Sequence, residues 1–389
     1  MRLSFDDTQR AFAHKSDFDL KKAYRLFQTF SSPFLVKYGA RIATTALDFG
    51  LPIKKLIKKT IFHQFCGGES IEESSTAALR LFNSGIGAIL DYSVEGEGNE
   101  KSYKKTFEEL KKVIQVAGKN DEYPFAVFKC TGIGSFNILE QVSSGNKLNV
   151  VETGMYKEFV NRVHELCKLA HENEVKLLID AEESWIQKAV DDLVYGAMAV
   201  YNKDNITVYN TIQLYQKGRV EEIEQQIVIA KKEGYKIGLK LVRGAYMEKE
   251  AARAIERQYD NPIQDSKEDT DRDYDKALQL CFDNKDYVAI VAGTHNEESS
   301  YKLARLIDKN NIDKTDDRFW FAQLYGMSDH ISYNLATEGF NVAKYLPYGP
   351  VKEVLPYLSR RAQENSSVKG QSGRELSLII KEIKRRRSA

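Results

Sequence analysis

The chain has little of what would mark it as secreted, membrane-spanning or built to hold nucleic acid. Its four cysteines, Cys66, Cys130, Cys167 and Cys281, are scattered without metal-ligand spacing. That excludes a disulfide or zinc framework and suits reduced thiols in a reducing compartment. No stretch approaches the roughly eighteen uninterrupted apolar residues of a membrane span. The N-terminal MRLSFDDTQRAFAHKSDFDL lacks an apolar h-region and carries too many acids for a transit peptide. Neither sign of charge is in excess: 57 Lys and Arg face 56 Asp and Glu, for a net charge of +1. Nothing in that balance points to nucleic acid, and only the terminal KEIKRRRSA is locally basic. A soluble, cytoplasmic protein is expected.

What is present suffices for a real core. Apolar residues make up 42% of 389 positions, enough for one large α/β domain with an extension, or for two domains. Residues 1–84 read as helices and connectors, with helical patterns at Leu20 to Phe30, Pro33 to Phe49, Ile53 to Phe65 and Ile71 to Ser84. The third sets Ile53, Leu56, Ile57 and Ile61 among Lys54, Lys55, Lys58 and Lys59. Such a helix either lies on a membrane surface or packs on its own domain with its lysines in water.

From residue 85 the character changes, as short apolar runs alternate with amphipathic helical patterns. The runs are Gly87 to Tyr92, Phe125 to Cys130, Lys176 to Asp180, Ile206 to Leu214, Lys236 to Val242, Tyr287 to Ala292, Phe319 to Leu324 and Asn341 to Leu346. Strict strand–helix alternation demands parallel strands with helical crossovers. Eight such units fit a closed (β/α)8, TIM-like barrel with an N-terminal helical extension better than an open sheet. The expected division is residues 1–84, a barrel over 85–370, and a basic helix or tail over 371–389.

Barrel logic then sorts the polar residues, because sites in this fold lie where strands end. The ends carry Asp91 with Glu95, Lys129, Asp180 to Glu183, Gln213, Lys240 with Arg243 and Gly244, Thr294 to Asn296, Gln323, and Lys344 with Tyr345. A buried charge is costly unless paired, so this density implies a polar ligand or a network that neutralises itself. Lys129 in the apolar FAVFKC suits an anionic ligand group, or an ion pair with Asp91, Glu95 or Asp180. LKLVRGAYMEKE places cations before Gly244 and opens a helix near Met247, whose amides suit phosphate. CTGIGSFN has Asn137 where a dinucleotide fingerprint needs its third glycine, and no helix clearly begins there, so that reading is rejected. Asp180, Glu182 and His295 leave open a metal-dependent barrel lyase or hydrolase.

The stretch Tyr345 to Asn365 turns through Pro347, Tyr348, Gly349 and Pro350 and becomes a helix with Leu355 and Leu358 on an apolar stripe. Its adjacent Arg360 and Arg361 suit a clamp on one small anion, or a solvated basic face; Glu364 shares a face with Arg360. Taken together, FKCTGIG, LLIDAEES, NTIQLY, KLVRGAY, THN, QLYGM and YLPYGPVKEVLPYLSRRAQENSS resemble proline dehydrogenase, in order over about residues 85–370. The likeness is to the monofunctional type, nearer the eukaryotic enzymes. It implies a distorted (β/α)8 barrel that holds FAD, oxidises L-proline to Δ1-pyrroline-5-carboxylate and passes electrons to a membrane quinone. By the same resemblance Lys129, Arg360 and Arg361 bind the substrate carboxylate, while Tyr345 and Leu324 pack on the pyrrolidine ring. Tyr345 favours proline over hydroxyproline, the substrate of related enzymes. Asp180 and Lys240 match active-site positions beside the flavin, Lys240 standing where many bacterial members have arginine. Gln213, Val242, Arg243, Gly244, Thr294, His295, Asn296, Gln323 and Glu364 match cofactor contacts. Glu95, with Glu97 as rival, matches a partner of the arginine clamp. Ile53 to Phe65 and Leu376 to Arg387 are the expected places for peripheral membrane contact.

Overall fold

The computed structural model describes residues 3–30, 32–49, 51–94, 98–367 and 371–388. Strands β1 (Ile86–Tyr92), β2 (Phe125–Lys129), β3 (Lys176–Asp180), β4 (Val208–Gln213), β5 (Ile237–Val242), β6 (Val288–Gly293), β7 (Phe319–Leu324) and β8 (Val342–Tyr348) follow chain order round a closed parallel barrel. The expected runs and the strands agree to within a residue or two at each end. β8 is the exception, continuing through Pro347 and Tyr348, so the turn begins at Gly349 with φ at +145°.

The chain forms two compact units, residues 96–322 and residues 1–95 with 323–389. In the first, register fixes which side chains meet. Lys129 at the end of β2 is the direct partner of Asp180 at the end of β3, and Thr211 of β4 is the partner of Lys240 of β5. Helices return the chain between strands, and their starts are sequence-encoded. Asn99 and Asn149 each close a capping box, at Glu100–Ala117 and Val150–Glu172, satisfying backbone donors that a helix end leaves free. The second of these begins seven residues before the expected Lys157, because Asn149 and Glu152 make so good a start. A helix also begins at Phe136, where the sequence gave no clear sign of one. The closed barrel excludes the dinucleotide-binding sheet on topology instead.

In the second unit β1 and β8 pair from Ile86↔Val342 to Tyr92↔Tyr348. Beside them lies a separate apolar core in which Phe12, Leu20, Phe27, Phe30, Phe65, Val354, Leu358, Leu378 and Ile379 are buried. The rings of Phe27 and Phe30 meet edge-on at 5.7 Å, a favoured aromatic geometry. Each such side chain contributes on the order of 1.5–3 kcal/mol on burial. This core holds the helix Leu355–Ser367, which carries both arginines, through Leu355 and Leu358.

Two expectations about the membrane are corrected by this core. Ile53 to Phe65 is not one helix: Lys54–Ile57 gives way to a wide turn at Lys58–Phe62, with Thr60 at φ −113°, ψ −105°, before His63–Phe65. Its Ile57, Phe62 and Phe65 are buried, and Ile53 and Ile61 pack against the same cluster. The terminal helix Gln371–Arg387 likewise turns Leu378 and Ile379 inward. Its basic end is used within the unit, as Arg386 donates to the carbonyls of Phe12 and Lys15 at 2.8 and 2.9 Å. Both apolar faces are spent on the core, so neither is available to lipid. Among the described residues no helix is long and apolar enough to cross a membrane.

Candidate active site

In the 96–322 unit the strand ends gather a compact charged cluster. Asp180 takes a hydrogen bond from the buried Lys240 on one carboxylate oxygen, and Lys129 lies 4.0 Å from the other. Two cations therefore share one carboxylate, and the cluster carries a surplus positive charge. Lys240 is buried, whereas Lys129 is partly exposed. The sequence left Asp91, Glu95 and Asp180 open as partners for Lys129; Asp180 is the acid found beside it, while Glu95 and Glu97 lie outside the described residues.

Glu182, next but one along the chain, has a different task. Its carboxylate accepts from the backbone N and Oγ1 of Thr131 at 3.1 and 2.5 Å. Burial pushes its pKa up to about 7, against these two hydrogen bonds and the charge of Lys129. Its carbonyl accepts from Gln213 Nε2 at 2.6 Å, so Gln213 is fixed at the end of β4. Asp180 and Glu182 are thus engaged by Lys240 and Thr131. Among the described residues no three His, Cys, Asp or Glu side chains gather as metal ligands, which leaves the metal-dependent alternative without a centre.

A second cluster spans the ends of β5 and β6. Arg243 pairs with Asp271 at 2.6 Å, donates to Thr294 Oγ1 at 2.7 Å and to Ser299 Oγ at 3.0 Å, and lies 4.4 Å over the ring of Tyr274. Asn296 accepts from the Ser299 amide at 3.0 Å and caps the helix Glu297–Lys309, with His295 between them in sequence. At Gly244 φ is +135°, and a Cβ would sit 2.5 Å from the Tyr215 ring, so only glycine fits. The sequence reading missed Asp271, Tyr274, Ser299 and Thr131. The first two stand three apart on the helix Lys267–Asp283, within an acid-rich stretch that had been set aside as an insertion. That spacing was the available signal.

The other unit places the remaining candidates on β7, β8 and the helix Leu355–Ser367. Gln323 is buried and accepts from Ser332 Oγ at 2.9 Å. Leu324 packs against the apolar core, and Tyr345, buried on β8, accepts through its carbonyl from the Tyr325 amide at 2.8 Å. Arg360 is exposed and Arg361 buried, so the two adjacent guanidinium groups diverge along the helix. Arg361 pairs with Glu364 at 2.6 Å and stacks over Tyr357 at 5.2 Å, while its Nε is buried without a hydrogen-bond partner among the described residues. Burial raises the pKa of Glu364, opposed by Arg361 and then Arg360. Lys344, expected among the strand-end polar residues, is instead sealed inside. It donates to Asp329 at 2.8 Å and to the Met327 carbonyl at 2.7 Å.

The fold is a TIM-like β/α barrel whose strand ends present cations and neutral donors. The model of the proline dehydrogenase family matches residues 75–374, and the chain belongs to that family of oxidoreductases. It is 32% identical to proline dehydrogenase 1, mitochondrial, of Dictyostelium discoideum, over 98% of this chain and 74% of that one. Hydroxyproline dehydrogenase of Xenopus laevis is 30% identical over 99% of this chain and 90% of its own. The carbapenem antibiotics biosynthesis protein CarD of Pectobacterium carotovorum subsp. carotovorum is 35% identical over 83% of each. Among solved structures, proline utilization A of Bdellovibrio bacteriovorus inactivated by N-propargylglycine aligns with a TM-score of 0.73 at 19% identity. That alignment covers 92% of this chain but 38% of the other. It supports the fold.

Proposed function

We propose that this protein oxidises L-proline to Δ1-pyrroline-5-carboxylate with FAD as cofactor and a membrane quinone as electron acceptor, from the cytoplasmic side. The observation that carries this reading is the cluster of Lys129, Asp180 and Lys240. Its unmatched positive charge, with Lys129 reaching solvent, suits a ligand that brings one carboxylate. Lys129, Arg360 and Arg361 hold that carboxylate; charge-assisted hydrogen bonds of this kind contribute roughly 1.5–3 kcal/mol each. The unpartnered Nε of Arg361 is a donor still to be satisfied. Glu364 holds the Arg361 fork in place, and Tyr345 and Leu324 pack on the ring. Asp180 fixes Lys240, and together they set the polar edge against which the substrate is oriented.

The donor set at the ends of β4, β5 and β6 fits FAD. Arg243, Thr294, His295, Asn296 and the backbone at Val242 and Gly244 suit a pyrophosphate, and Gln213, Lys240 and Gln323 suit the ring's heteroatoms; Glu364 approaches the same cofactor. When bound, the flavin supplies the hydride acceptor at its N5. Proline reacts as the neutral amine: hydride leaves C5 as the nitrogen lone pair closes the C=N bond. No covalent nucleophile from the chain is needed.

Tyr345 supports proline over hydroxyproline, because its bulk leaves less room beside the ring. The test is an anaerobic titration of the purified yellow protein with L-proline and with trans-4-hydroxy-L-proline, following the flavin absorbance. Bleaching at much lower proline concentration is expected. Preferential bleaching by hydroxyproline would assign the other substrate, and a colourless protein would overturn the flavin reading.

A further inference from the structure

The helix Pro33–Asp48 has two apolar faces, and one core to bury them in. Ala43 and Leu47 pack against the apolar core of their unit. Tyr38, Ile42, Thr45 and Phe49 recur four, three and four residues apart, which places them in one stripe across the helix from Ala43 and Leu47. This stripe meets solvent: Ile42 is 57% exposed and Phe49 81%. The turn and short helix that follow add Leu51 and Leu56, the latter 64% exposed. Single exposed apolar residues are ordinary, but large ones repeated in register along one segment mark a binding surface.

Charge names the occupant. Between Pro33 and Thr60 the sequence carries Lys37, Arg41, Lys54, Lys55, Lys58 and Lys59 against Asp48 alone. Lys54 and Lys58 are held by Glu69 and Glu73, while Lys55 and Lys59 are exposed beside Leu56. A two-fold contact with another copy would set these lysines against their own counterparts. Phosphate headgroups would complement them, with the apolar side chains entering the boundary above the acyl chains.

We propose that Tyr38, Ile42, Phe49, Leu51 and Leu56, flanked by Lys55 and Lys59, dock this protein on an anionic lipid bilayer. The docking is read from this surface alone; its purpose, delivery of electrons to a membrane quinone, rests on the function proposed above. The same helix packs against Leu355–Ser367, which carries Arg360 and Arg361, so the bilayer contact adjoins the element assigned to substrate.

The test is co-sedimentation of the full-length flavin-loaded protein with vesicles of phosphatidylcholine containing phosphatidylglycerol, and with phosphatidylcholine alone. Binding to the anionic vesicles, weakened by salt, is expected. Ile42→Glu/Phe49→Glu/Leu56→Glu and, separately, Lys55→Glu/Lys59→Glu should each weaken it by roughly tenfold or more. Circular dichroism and proline-dependent reduction of a soluble dye should be unchanged in both variants. The proposal is overturned if the wild type stays in the supernatant, binds neutral vesicles equally well, or keeps its binding in the folded triple variant. It is also overturned if the wild type is a dimer that does not bind vesicles and that the triple variant dissociates, since the stripe would then join copies. Vesicle binding without any proline-dependent dye reduction would refute the proposed function and uphold the docking surface.

Discussion

Each unit of the chain holds one aspartate between two lysines, and the two clusters differ chiefly in their access to water. Lys129, Asp180 and Lys240 sit at strand ends, and the Lys129 side chain keeps 36% of its surface exposed. Lys15, Asp329 and Lys344 form the counterpart, in which the Lys344 side chain keeps 1%. Burial alone would raise the pKa of Asp329, yet Lys15 and Lys344 outweigh it and hold the carboxyl far below its usual range. His14, which Asp329 also approaches, is driven down to about 3 by burial and stacks on Tyr333 at 3.8 Å. A sealed triad serves to fasten helices to a strand. An open one with the same composition keeps charge in reserve for a ligand.

The largest expected effect breaks the sealed cluster. Asp329→Ala leaves two buried ammonium groups facing each other, and should cost roughly 3–5 kcal/mol of stability, measured by urea unfolding. A loss below about 1 kcal/mol would place Asp329 among ordinary surface ion pairs and remove the contrast.

Next comes the pH dependence of Glu182. Its folded pKa of about 7 lies above its ordinary value of 4.5, so the folded protein holds a proton that the unfolded chain releases. Stability from this group is intact below about pH 4.5, falls as pH rises, and is lost by about pH 7, for a total on the order of 3 kcal/mol. Glu182→Gln should flatten the wild-type decline in urea midpoint between pH 5 and pH 7. An unchanged slope would show that Glu182 titrates normally.

The smallest effect on stability, and the sharpest on function, is expected in the open cluster. Lys129→Met should shift the unfolding free energy by less than about 1 kcal/mol. It should lower kcat/KM for proline by roughly tenfold to a hundredfold, as charge-assisted hydrogen bonds are lost. If stability falls as far as in Asp329→Ala while kcat/KM holds, the two clusters do the same job.

Much of this was legible in advance. The strand runs gave the barrel, since strands buried on both faces read as continuous apolar segments. Their ends gave Lys129, Asp180, Lys240, Arg243 and Thr294, because charge at the end of an apolar run is expensive without a purpose. Less legible were positions whose meaning depends on a distant partner. Lys344 and Lys129 look alike in sequence, each a lysine in an apolar strand; Asp329 makes one a fastener and Asp180 leaves the other poised. Asp271 and Ser299 gained a role only when Arg243 reached them. The lysine-rich segment at 53–65 looked suited to lipid until the core of its unit claimed its apolar face.

By itself the sequence determined the alternation of strands and helices, the helix caps and the kinds of charge at strand ends, since these rest on local periodicity and on the cost of isolated charge. Tertiary structure decided which lysine is sealed, which apolar face stays wet and which acid answers which cation. Those outcomes depend on what lies opposite in space, and burial can turn one side-chain type to either task.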